Sequence, residues 1–499
     1  MHIAPPTMPP SEGPRVQVQR LRRRIIDGNW HEDALQRMVE HFGRTRTHLI
    51  GLHDKSANPA RVIMRELSSL YLTPPTVWHE AGDGVAPLLE AVRLSGLWSR
   101  MQRYQTWVLG CREYLMRVDA PEGEGRLTFR PVAPDMVYAE ARPDVPDVPV
   151  LIWEARLRTD ERGGPQWQWD VLDIRDPDHP VYAVHEIDRV GELGADITAR
   201  VLGGSYSGDA YPYRRSDGTP ILPYVLHHAE TLGDRLWDPW EGAETMEGSL
   251  TIPVLLSFWQ HVMYNASYPQ RYMAGGKPAA LETRDEEGRA IRHEVVTDPT
   301  SVLQIEVDET PSGVTPTIQI GQWSAGGDPE ALLRAIDAYA HRLAQDAGVS
   351  ASDIHKMSGD ARSGYAISLT NEGKRAAQRR YAPVFQPVDE RMMAVAATLF
   401  NRANDTALPE DGYHVVYAEI PLSPEEQQAR REHVTELVGA GLMSRVRAYM
   451  ALNPGVTEEQ ARRELEAIDA EQRPPEPEAP VVEPVAPPPG DTEEEDTNG

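Results

Sequence analysis

A chain of 499 residues can form two to four compact units with a sizeable core. A 25% charged, 40% hydrophobic composition excludes global disorder, and no run approaches the roughly 20 apolar residues of a membrane span or the apolar core of a signal peptide. The net charge of −27, of which −8 lies from Glu471 onward, disfavours a protein that grips DNA through a basic footprint, but not a conduit whose wall repels sliding phosphates; plain solubility is the competing reading.

In chain order, Met1 to Pro14 is Pro-rich and is expected to be a flexible arm. The basic run Arg20 to Arg24 reads as a solvated helix start, with nucleic-acid contact as the alternative. Helices are predicted over Trp30 to Phe42 and Arg61 to Leu72, the second stopped by Thr73-Pro74-Pro75. A long helical pattern, interrupted by Gly96 and Gly110, runs from Ala86 to Val118. It holds Cys111, which is expected to be buried rather than reactive. The period then changes to two: Leu127 to Arg130, Val150 to Glu154, Trp167 to Val171 and Val181 to Val184 read as strands of one small antiparallel sheet. Trp167 and Trp169 share a face, as sheet core or, alternatively, as a platform for stacking bases.

A helix is predicted over Glu241 to Tyr268, with Pro253 expected to delay its regular part until near Thr251. The chain is strand-like at 294–296 and 302–307. Asp328-Pro329 then caps a helix carrying Leu332, Ile336, Tyr339 and Leu343, which Gly348 stops. From Val349 to Gly364 the composition is that of a polar loop. A second helical run, from Tyr365 to Asn404, is expected to kink or break at Pro383 and Pro387. Ser423, Ser444 and Thr457 open three short helices, and the Pro/Glu-rich stretch 472–499 reads as disordered.

Sequence chemistry does not point to an enzyme. Gly275-Gly276-Lys277 lacks the first glycine and the Ser or Thr of a phosphate loop, and no zinc-protease, paired-cysteine or nucleophile-elbow motif is present. Ser352, Asp353 and His355 are neighbours on one loop, without the fixed geometry of a triad. No metal site and no cofactor are expected.

Gly364-Tyr365-Ala366-Ile367 at the head of a long, interrupted helix resembles the opening of the tunnel helix in portal proteins of tailed bacteriophages, the head-to-tail connectors. The preceding helix and polar loop, the later segment Gly439 to Ser444, the proline-bearing strand Ile221 to Val225 and the stretch Ser267 to Tyr272 follow in the order that family shows. The resemblance implies an α+β, portal-type fold: arm 1–14, wing 15–235, stem helices 236–268 and 328–348, β-rich clip 269–327, tunnel loop 349–364, long kinked helix 365–404, helical crown 405–471, and an acidic tail 472–499.

It further implies a homo-oligomeric ring, usually a dodecamer, at one capsid vertex of the virion, assembled in the host cytoplasm. Double-stranded DNA would pass through without sequence specificity during packaging and ejection. The terminase large subunit, a head-completion or adaptor protein, the major capsid protein and scaffolding protein would be its partners. Ser350, Ser352, His355, Lys356, Met357 and Arg362 would face the DNA. Lys374, Arg375, Arg379 and Arg380 would line the channel helix, although Arg375 and Arg379, at i, i+4, also fit a solvated or intersubunit salt-bridge face. The alternative is a capsid or head–tail adaptor protein without a ring or DNA channel.

Overall fold

The structure is a computed structural model that describes residues 5–51, 57–159, 163–202, 211–238, 244–267, 270–274, 302–305, 319–323, 328–349, 364–420, 424–453, 456 and 458–471. It mixes helices with small, mostly antiparallel sheets and divides into two units, Met1–Pro421 and Leu422–Gly499.

In the first unit, α1 (Gly13–Asp27), α2 (His31–Ile50) and α3 (Pro59–Leu67) meet α7 (Glu244–Ser267) around Ile25, Trp30, Met38, Ala60, Met246, Leu250 and Val254. Asn58 pins this junction. Its side chain caps α3 by accepting from the Arg61 N–H, donates to the Ile25 carbonyl at 2.7 Å and accepts from Ser249 Oγ at 2.9 Å. Residues 5–12 are not a free arm: Met8 is buried with Val16 against Leu151 and Trp169. Nor is the basic run solvated. Arg22 is buried, Arg23 and Arg20 reach the buried Asp135 at 2.7 and 3.6 Å, and Arg24 pairs with Asp33.

The pattern read as one helix from 86 to 118 is three elements. Gly96 (φ 67°) separates α4 (Ala86–Ser95) from α5 (Leu97–Cys111), and Arg112 in the left-handed region turns the chain into β2 (Glu113–Asp119). β2 is the middle strand of a sheet with β3 (Thr128–Val132) and β9 (Tyr224–His228), so both its faces are covered and its near-continuous apolar run carries no period-two signal. Tyr114, Met116 and Val118 face the helices, whereas Leu115 joins Val137, Ile152 and Leu172.

Those last three residues belong to a second antiparallel sheet, in the order β4 (Val137–Arg142), β5 (Val145–Thr159), β6 (Pro165–Asp173), β7 (Val181–Ile187) and β8 (Leu193–Asp196). Two packed sheets therefore replace the single one expected. Trp169 is fully buried in one face of the five-stranded sheet, with Trp153 6.1 Å away, so it is sheet core, while Trp167 is half-buried against the same cluster. A short helix, α6 (Thr198–Leu202), follows β8.

α7 and α8 (Pro329–Asp346) pack antiparallel: Trp259 Nε1 donates to the Pro329 carbonyl at 2.9 Å near one end, while Leu343 fills the space beside Gly248 near the other. Between them lie β10 (Gln270–Ala274), β11 (Val302–Ile305) and β12 (Gln319–Trp323), a three-stranded sheet in the order β11-β10-β12. Pro253 does not delay α7, which begins at Glu244; burial of Met246 and Leu250 upstream of the proline outweighs the lost backbone bond. Residues 294–296 lie outside the described residues.

α9 (Gly364–Asn404) is one uninterrupted helix of 41 residues, about 60 Å long, rather than a broken one. Pro383 and Pro387 sit on its exposed side, while Tyr381, Phe385, Asp389 and Met392 face the core. The carbonyls that the prolines strand, four residues earlier, lie on that same outer side, where water can reach them. β13 (Tyr413–Val416) then pairs with β1 (Thr76–His79), so residues 405–421 belong to the first unit. In the second unit α11 (Arg445–Leu452) packs against both α10 (Pro424–Gly439) and α12 (Glu458–Glu471), with Ser444 capping α11 and Arg445 pairing with Asp469 at 2.8 Å. Ser423, Thr457 and 472–499 lie outside the described residues.

Candidate functional site

The segment bounded by α8 and α9 is where sequence reading places the functional surface. α8 begins on the Asp328 cap, which accepts from the Glu330 N–H, and buries Ile336, Leu343 and Ala344. It stops as its sequence dictates. Gly348 takes φ 78°, its N–H donates to the Gln345 carbonyl, and the Val349 N–H reaches back to Ala344 at 2.8 Å. Val349 is buried and so anchors the chain where the polar loop departs. Ser350, Ser352, His355, Lys356, Met357 and Arg362, with Asp353, lie outside the described residues.

The other end of that loop is fixed by α9. Gly348 lies 4.0 Å from the Arg380 guanidinium when measured from the position a Cβ would take, so the end of α8 meets α9 some sixteen residues after its start. The stretch of α9 that precedes this contact is therefore about 24 Å long. Of the four cations assigned to this helix, Lys374 is half-buried and stands 3.7 Å from Glu66 of α3. Arg380 is exposed, 3.3 Å from Glu230. Arg375 and Arg379 are engaged as well. Glu230 and Asp238 also hold Arg112, at 3.1 and 2.8 Å.

Below these turns the helix is locked by a buried polar network that sequence reading did not find. Asp389 Oδ2 accepts from the hydroxyls of Tyr71 at 2.7 Å and Tyr417 at 2.8 Å, and Oδ1 lies 3.0 Å from His227 Nε2. His227 Nδ1 in turn lies 3.0 Å from the Tyr104 hydroxyl, which donates to the Tyr114 carbonyl. Burial, followed by the negative charge of Asp389, pushes both the Tyr71 and Tyr417 phenols up, so they act as neutral donors. The set thereby joins α9 to the 68–75 turn, α5, β9 and the chain after β13. His227 and Asp389 resemble an acid–base pair, but both are fully buried with their acceptors occupied, and no reactant can reach them. A hint existed in the sequence, since an Asp on the apolar stripe of a helix needs buried partners.

A second buried network binds the three-stranded sheet around β2 to the five-stranded sheet. Arg117 of β2 reaches Glu154 at 3.1 Å and Asp170 at 3.3 Å and donates to the Tyr224 hydroxyl at 2.8 Å. Arg130 adds a 2.6 Å contact to Glu154, and Arg156 and Arg158 converge on Asp170. Burial alone would raise the Glu154 carboxyl, but the Arg130 hydrogen bond and the charges of Arg130 and Arg117 hold it down at about 2. Close by in sequence, Glu113 accepts from Gln19 Nε2 and the Asp238 N–H, and burial raises it to about 7. Burial likewise pushes the Cys111 thiol up, so it stays an inert core group. No cluster of three metal-ligating side chains is found among the described residues, and no described helix is long and apolar enough to cross a membrane.

Neither a protein-family model nor a curated protein matches the chain. Solved structures are similar. A chain in the neck of a native gene transfer agent (GTA) particle computed with C12 symmetry shares 12% identity at a TM-score of 0.40, over 83% of this chain and 93% of that one. A chain in the virion of a native GTA particle shares 12% at 0.37, over 83% and 94%. A chain in the neck of an empty GTA particle computed with C6 symmetry shares 11% at 0.40, over 83% and 94%.

Proposed function

We propose that this protein is a portal-type head-to-tail connector, a subunit that assembles into a ring at one vertex of a phage-like capsid and leaves a central channel for double-stranded DNA. The observation that carries the reading is the run of elements from 244 to 404. An antiparallel helix pair, α7 with α8, brackets a three-stranded sheet in sequence, and a 14-residue polar segment then leads into the 41-residue α9. This run supports the reading because its order, helix, small sheet, helix, polar segment and long helix, is the order of stem, clip, stem, tunnel loop and tunnel helix that the sequence resemblance implies.

In this reading the acidic body gives a wall along which phosphates slide rather than stick. The buried networks on Asp389 and Arg117 fit such a role, because they hold the body of α9 rigidly against the rest of the subunit and the two sheets to each other. The ring turns over no substrate; the packaging motor docks on the clip, and an adaptor or head-completion protein replaces it later. Electron microscopy of the purified full-length protein tests the proposal. Rings with a central hole are expected, and monomers or dimers at every concentration would refute it in favour of an adaptor without a channel.

A further inference from the structure

Within this acidic chain one concavity has the opposite charge. A cleft of about 500 Å³ opens where the end of α1, α3, α5 and Lys374, the eleventh residue of α9, come together, lined by Arg61, Arg65, Arg103 and Lys374 against only Asp27 and Glu66. Asp27 accepts from Trp107 Nε1 at 2.9 Å, and Glu66 has Lys374 as its ion-pair neighbour at 3.7 Å, beyond hydrogen-bond reach. The three guanidiniums have no carboxylate within ion-pair distance among the described residues. Arg103 lies over the Trp107 ring at 4.7 Å, beside the cleft that both residues line, and Arg61 packs against Gly28, the left-handed cap at the end of α1.

We propose that this cleft binds a phosphate group. Guanidinium forks present paired N–H donors that match phosphate oxygens, and several charges converging on one concavity suit a ligand with three acceptor oxygens. The lining carries two more cations than carboxylates, which matches a terminal phosphate dianion, whereas a single carboxylate or phosphodiester monoanion leaves one positive charge of the lining unmatched. Gln102 supplies a further amide on the rim. The source of the phosphate is either a small free oligophosphate or the phosphodiester backbone of DNA. This inference does not depend on ring assembly, because every lining residue belongs to one subunit.

The test is calorimetric titration of full-length protein at low salt with pyrophosphate and, separately, with a short DNA duplex. Arg65→Ala/Arg103→Ala removes two exposed guanidiniums, and an unchanged unfolding midpoint verifies the fold. Affinity is expected to fall about tenfold or more for each charge removed. Arg93→Ala, in an exposed ion pair with Glu90 elsewhere, should bind as the parent does. Pyrophosphate binding without DNA binding assigns the small ligand. DNA binding that pyrophosphate competes away, with a salt slope about one lower per contact removed, assigns the phosphodiester. Three results would each overturn the proposal: no binding by either probe, equal binding by parent and double variant, or preference for a polyglutamate peptide over both phosphates.

Discussion

Asp389→Ala should be among the most damaging substitutions in the chain. The carboxylate is fully buried and faces three donors at 2.7, 2.8 and 3.0 Å, from Tyr71, Tyr417 and His227. Alanine leaves those donors in an apolar site without water, and a buried polar group robbed of its partner costs about 1–3 kcal/mol. Tyr417 is only partly buried and recovers some solvation, so the expected loss is about 4 kcal/mol, within the range for breaking a buried charged pair. Asp389→Asn keeps one acceptor and should lose about half as much. Urea denaturation followed by tryptophan fluorescence reads this cleanly, because all 11 tryptophans lie between Trp30 and Trp323, within the first unit. A loss below about 1 kcal/mol for the alanine variant, at unchanged denaturant slope, would show that the tyrosines find other acceptors and that the network is not what fixes α9.

Glu113 makes stability depend on pH near neutrality. Its folded value is raised, so its contribution is complete below about 4.5 and lost as pH rises to about 7; the span corresponds to about 3 kcal/mol, and Glu113→Gln should flatten the urea-midpoint profile there, parallel profiles refuting the assignment. Gly248→Ala sets a methyl group where Leu343 already lies, so α7 and α8 must separate or Leu343 change rotamer, at about 1–3 kcal/mol; an unchanged melting temperature would mean the helix pair is loosely packed. Replacing Lys356 and Arg362 together by alanine should leave fold and ring intact while changing the amount of DNA packaged or retained, and equal DNA content at matched assembly yield would make the loop a mere connector.

The sequence was legible where one physical signal dominated. Asp328-Pro329 and Gly348 bound α8 as expected because caps are local chemistry, and the period-two runs at 150–154 and 167–171 became β5 and β6 because one face of each covers the core. It failed where tertiary burial overrode local preference. β2 reads as helix because burial on both faces erases its alternation, and Pro253 and Pro387 sit inside helices whose other residues are held by the core. The buried networks were hidden for another reason: Tyr71, His227, Asp389 and Tyr417 are separated by up to 346 positions, and no spacing rule joins residues that only the fold brings together.

The placement of charge in this chain follows one logic that its net value conceals. Arg20, Arg22, Arg23, Arg117, Arg130, Arg156 and Arg158 are spent on Asp135, Glu154, Asp170 and neighbouring carbonyls inside or at the edge of the two sheets, seven cations against three carboxylates. What remains outside is more acidic than −27 over 499 residues suggests. Such a surface repels a phosphate backbone at long range, within the Debye length of about 8 Å at physiological salt, and admits it only where cations are gathered. Among the described residues the cleft of Arg61, Arg65 and Arg103 is one such place, and Lys374 links it to α9. Lys374→Glu therefore tests them together. If α9 and the cleft act as one phosphate-contacting surface, the substitution should weaken pyrophosphate binding and DNA retention in parallel. Loss of one with the other intact would show that the cleft and α9 act separately.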